Sequence, residues 1–89
     1  MVNRSIAHQL LDDDMDEAGY WIIVYDFIEH KPNPNFWANL NRISKTNGGG
    51  LIQYSVYQTE SLREAQAVHG LVDHYGGKAM VFRCVETNL

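Results

Sequence analysis

Tyr20-Trp21-Ile22-Ile23-Val24-Tyr25-Asp26-Phe27 decides the fold of this chain. Its β-branched and aromatic residues form a nearly unbroken apolar run, too short for a buried helix and bounded by polar sequence. Such a run reads as a central strand, covered on both sides or on one side and at a contact with a second copy. It closes at Asp26, and a polar loop over residues 28–33 follows.

Working outward, Asn33-Pro34 predicts a helix start. Asparagine supplies a cap oxygen, and proline at the first helical position loses no bond because that N–H has no partner there. Phe36, Leu40 and Ile43 recur at helical spacing, and Asn47 with Gly48-Gly49-Gly50 ends the stripe. A glycine run after a helix does not make a phosphate loop, which leads from a strand into a helix. Residues 51–58 are extended. Ser61 and Glu64 have the spacing of a capping box. Leu62, Ala65, Val68, Val72 and Tyr75 form the next helical stripe, stopped by Gly76-Gly77. Residues 79–85 form a last strand, with Met80, Phe82 and Cys84 on one face and Ala79, Val81, Arg83 and Val85 on the other. Cys84 is the lone cysteine, so no intrachain disulfide forms, and its setting predicts a small buried hydrophobe.

The pattern is strand–helix–strand–helix–strand in one small domain. Right-handed crossovers place both helices on one face of the sheet. The expectation is an α+β, ferredoxin-like βαββαβ sandwich, an antiparallel sheet with two helices on one face and a dimer through the open sheet face. No turn signal divides residues 51–60 into the hairpin that this plan needs.

Charge separates a leader from the domain. Residues 1–19 carry Asp12, Asp13, Asp14, Asp16 and Glu17 against Arg4, which accounts for the whole net charge of −4. Residues 20–89, the domain proper, balance six acids against six bases. Like-charge blocks stay solvated, so the leader is expected to be mobile or loosely docked. A neutral domain is a poor electrostatic footprint for nucleic acid. No apolar run approaches the roughly 20 residues of a membrane span. No signal-peptide pattern opens the chain, so a cytoplasmic location is expected. His8, His30, His69 and His74 lack the spacing of a zinc site. The aromatic load reads chiefly as core and dimer packing.

Two segments resemble a known family. Val24-Tyr25-Asp26 at the end of the first strand, with Ile52-Gln53-Tyr54-Ser55-Val56-Tyr57 after the first helix, is similar to the small CRISPR-associated protein that partners the adaptation integrase. The likeness runs in order through about residues 20–86, and virulence-associated protein D shares the plan more distantly. The resemblance implies a homodimer and two short strands within residues 53–60. It also implies a metal-dependent endonuclease or scaffold role on RNA or DNA, with the integrase as partner. It makes Asp26 the catalytic and metal-holding residue, one from each subunit on Mg²⁺, and puts Ser55 beside the phosphate. Two facing carboxylates suit a hard cation that polarises a phosphodiester. Read by itself, Asp26 is either a loop cap or a functional acid. The alternative function is a non-catalytic dimeric interaction or regulatory module.

Overall fold

The computed structural model describes residues 18–27 and 31–85. The acidic leader, apart from its last two positions, lies outside them, as do residues 28–30 of the first loop and residues 86–89.

The elements run β1 (Ala18–Asp26), α1 (Pro34–Asn47), β2 (Gly50–Gln53), β3 (Val56–Ser61), α2 (Leu62–His74) and β4 (Lys78–Arg83). The sheet has four strands in the order β2-β3-β1-β4, and every neighbouring pair is antiparallel. This α+β arrangement with two helices is compatible with a ferredoxin-like fold. β1 is central, as its continuous apolar run predicts, and it begins two residues before the expected start.

Alternation along β1 sorts the two faces. Trp21, Ile23 and Tyr25 are buried, and they join Phe36, Leu40 and Ile43 of α1 and Ala65, Val68, Leu71 and Val72 of α2 in one core. Both helices therefore cover the same side. Val24, Met80 and Phe82 point the other way and are 42%, 62% and 47% exposed. Val24 lies between Met80 and Val56 in register, and Ile22 between Phe82 and Gln58. The far face is thus an apolar strip that nothing among the described residues covers. In β4 the inward Ala79 and Val81 pack on the core, and Cys84 is half-buried rather than buried.

The helix ends follow their local chemistry. The Asn33 side chain accepts from the Asn35 N–H at 2.8 Å with Pro34 at the first turn. Gly48 closes α1 at φ +90°, a conformation that favours glycine. Ser61 caps α2 by accepting from the Glu64 N–H at 3.2 Å. The other half of the expected capping box goes elsewhere. The Glu64 carboxylate is fully buried, accepting from Tyr57 Oη at 2.5 Å, Thr59 Oγ1 at 2.6 Å and the Gly49 N–H at 3.0 Å. Burying a carboxylate is tolerable only with such satisfaction. One side chain thus ties α2 to β3 and to the exit of α1.

The missing hairpin is present. Gln53 pairs with Val56, so Tyr54 and Ser55 form a two-residue turn between β2 and β3, with an irregularity in register between Leu51 and Gln53. Two-residue hairpins usually draw on Asn-Gly or Gly at positive φ. Among the described residues only Gly48 and Gly76 have positive φ. This turn is held from outside itself: the Tyr25 N–H donates to the Ser55 carbonyl at 3.0 Å, and the Tyr25 hydroxyl donates to the Tyr54 carbonyl at 2.8 Å.

Candidate functional site

Asp26 is the last residue of β1, exposed, with Lys78 of β4 directly across from it in register. The chain beyond it is fixed by Phe27, whose ring meets Phe36 edge-on at 4.9 Å and Tyr25 at 6.1 Å. On the β4 side, buried Gly77 lets the backbones come close. A Cβ there would sit 2.8 Å from the Asp26 carbonyl oxygen and 2.7 Å from Val72 Cγ1. The Gly77 N–H donates to the Val72 carbonyl at 2.9 Å, so the end of α2 also helps set the position of Asp26.

Ser55 reaches the same place through Tyr25. The two backbone-directed bonds from Tyr25 hold the hairpin tip against the end of β1, and Asp26 is the next residue along. Asp26 and Ser55, far apart in sequence, consequently line one cleft of about 220 Å³. Lys31, Trp37 and Tyr54 line it as well. Trp37 is half-buried on α1, one residue past the buried stripe position Phe36, against which it packs at 5.0 Å between ring centroids. Tyr54 meets Trp37 at 5.0 Å with ring planes 54° apart.

Lys31 lines the cleft with Asp26, and Lys78 is the register partner of Asp26 on β4. The described lining of the cleft carries one acid, Asp26, and one base, Lys31. Burial, and then the neighbouring Tyr54 phenol, push the Tyr25 hydroxyl up to about 12, so it stays a donor at neutral pH.

Among the described residues no three His, Cys, Asp or Glu side chains cluster as a metal site. Mg²⁺ needs less from the protein, since it commonly keeps several waters and takes one or two carboxylates. Asp26 and the Ser55 hydroxyl offer two hard oxygen donors and so fit half of such a site. Lys31, in the same lining, opposes a cation there.

A wider hollow of about 640 Å³ beside Gly19, Tyr20, Glu60, Cys84 and Val85 lies at the opposite end of β1. It contains neither Asp26 nor Ser55.

No protein-family model, curated protein or solved structure matches this chain. Sequence reasoning marked Asp26 and Ser55, read the aromatic residues, Trp37 and Tyr54 among them, chiefly as core and dimer packing, and gave Lys31 and Lys78 no role. Trp37 falls one position off the α1 stripe and packs, half-buried, at the edge of the core.

Proposed function

We propose that this chain is a divergent relative of the small CRISPR-associated ferredoxin-like proteins, a cytoplasmic homodimer that binds RNA or DNA and cuts it with Mg²⁺. The observation that carries this reading is the meeting of Asp26 and Ser55 in one cleft with two lysines beside them. Asp26 of each subunit would hold the Mg²⁺, which would supply polarisation of the phosphodiester and a more acidic water. Ser55 donates its hydroxyl hydrogen to a non-bridging phosphate oxygen, and Lys31 and Lys78 offset the phosphate charge. The adaptation integrase is the protein partner that this reading names.

The test is cleavage and binding of end-labelled RNA and DNA in Mg²⁺ or in EDTA, across a range of salt. Cutting is expected in Mg²⁺ only, and Asp26→Asn should abolish it while sedimentation shows the dimer intact. Failure to bind or cut any strand sinks the proposal.

The uncovered strip of Ile22, Val24, Met80 and Phe82 favours a second reading, a dimeric interaction module without chemistry. Nucleic-acid binding with no cutting, unaffected by Asp26→Asn, is the outcome that selects it.

A further inference from the structure

Asn47-Gly48 is the one Asn-Gly pair in the chain. In an unstructured peptide this pair loses ammonia readily, because glycine has no side chain to keep its backbone nitrogen off the asparagine. The Gly48 nitrogen gives up its proton and bonds to Asn47 Cγ. The Cγ–Nδ2 bond breaks, and ammonia leaves with that proton. Water then opens the cyclic imide at either carbonyl, giving aspartate or an isoaspartate whose main chain runs through Cβ and Cγ. The reaction needs no oxidant and no second protein.

The fold holds each reacting group in another bond. Asn47 is the last residue of α1, and its Nδ2 donates back along the helix to the Ile43 carbonyl at 3.1 Å. Its Oδ1 accepts from the Arg63 guanidinium of α2 at 3.2 Å. The nucleophile is occupied too, since the Gly48 N–H donates to the Ser44 carbonyl at 2.8 Å. The next residue is fixed in turn. The Gly49 carbonyl accepts from the Ser44 hydroxyl, and the Gly49 N–H donates to the buried Glu64 carboxylate at 3.0 Å. A Cβ on Gly49 would sit 2.6 Å from the Gln58 carbonyl oxygen, so the chain has no slack there.

We propose that Asn47 is a deamidation site that the folded protein keeps shut and that local opening of the α1 exit unlocks. Release of the last turn of α1 frees the Asn47 amide and the Gly48 nitrogen together. The Arg63 bridge is the part of the gate supplied by another helix. Once isoaspartate forms, the main chain is one methylene longer between residues 47 and 48. Gly49 then no longer meets Glu64, and the buried carboxylate loses one of its three donors. The new carboxylate also adds negative charge where the helix end is already negative. A transient opening thereby becomes permanent. None of this depends on the cleft or on nucleic acid.

The test incubates the full-length protein at neutral pH, folded or held unfolded in guanidinium chloride. Peptide mass spectrometry with electron-transfer fragmentation then separates asparagine, aspartate and isoaspartate at each position. Unfolded, Asn47 should convert before every other asparagine. Folded, it should convert more slowly by about tenfold or more, and hydrogen exchange should show the Gly48 amide protected by a similar factor. Arg63→Met keeps an unbranched side chain without the donors. It should quicken conversion in the folded protein about fivefold, the change in open population that one lost hydrogen bond produces. Melting curves check that this variant is folded, and the exchange of the Gly48 amide reads the gate in the unaltered chain if it is not. Equal rates in folded and unfolded protein, an unprotected Gly48 amide, or a folded Arg63→Met no faster than the parent overturns the gate. Earlier conversion of another asparagine in the unfolded chain overturns the site.

Discussion

The hydroxyl of Tyr25 donates to the carbonyl oxygen of Tyr54 at 2.8 Å, joining the last core residue of the central strand to the tip of the β2–β3 hairpin. Tyr25→Phe keeps the ring and its edge-on contact with Phe36 but removes this bond. The expected cost is about 1 kcal/mol in urea unfolding. Amide hydrogen exchange should rise at the hairpin tip and remain low in α2, and nucleic-acid affinity should fall with the cleft's geometry.

Glu64 predicts a larger effect. Glu64→Ala leaves two hydroxyl groups and one backbone N–H without their shared acceptor in the core, for a loss of about 3 kcal/mol. In a Tyr57→Phe background the same change should cost less by about 1 kcal/mol, because one stranded donor is already gone. Denaturant melts of the four proteins complete the cycle. Equal losses in both backgrounds would show that Tyr57 and Glu64 are not coupled.

Stability should drain away on the alkaline side. Tyr25 ionises near pH 10.0 in the unfolded chain and is pushed up to about 12 in the fold, chiefly by burial. Tyr57 moves in the same direction, through burial first and then its hydrogen bond to Glu64. Above about pH 10 the unfolded state holds fewer protons than the fold, so stability is complete below that point and declines as pH rises towards about 12. Urea midpoints followed through the alkaline range should show this slope, and Tyr57→Phe should make it shallower.

The open sheet face can be tested without touching the cleft. Phe82→Glu places a charge in the apolar strip, at a position already 47% exposed, so the subunit should remain folded. On the proposed reading, sedimentation should show a monomer in place of a dimer, and Mg²⁺-dependent cutting should disappear with it, because that reading needs an Asp26 from each subunit. A variant that remains dimeric would place the subunit contact elsewhere.

Local chemistry made the helices legible in the sequence. Asn33-Pro34, Ser61 and Gly48 mark ends that the fold uses, and the apolar stripes mark buried faces, though Ala67 and Leu71 escaped a strict reading of the α2 stripe. The resemblance implied two strands within residues 53–60, but local chemistry did not show the hairpin, because Tyr54-Ser55 carries no turn preference of its own and is held by Tyr25, a residue distant in sequence. Glu64 misled for a related reason. Its spacing from Ser61 suits a surface capping box, but Tyr57 and Thr59 alternate inward on β3 and draw the carboxylate into the core. Asp26 and Ser55 were marked through a resemblance and share a cleft. The aromatic pair beside them, Trp37 and Tyr54, was read only as part of the general packing.

A hairpin tip clamped from a neighbouring strand has freedoms that a self-made turn lacks. The identities of Tyr54 and Ser55 are barely constrained by the fold, since the clamp grips carbonyl oxygens that every amino acid possesses. Residues there can be exchanged at little cost in folding while the backbone stays in place. The cleft is therefore built so that its preferences can drift, with mutation retuning what it recognises on an unchanged frame.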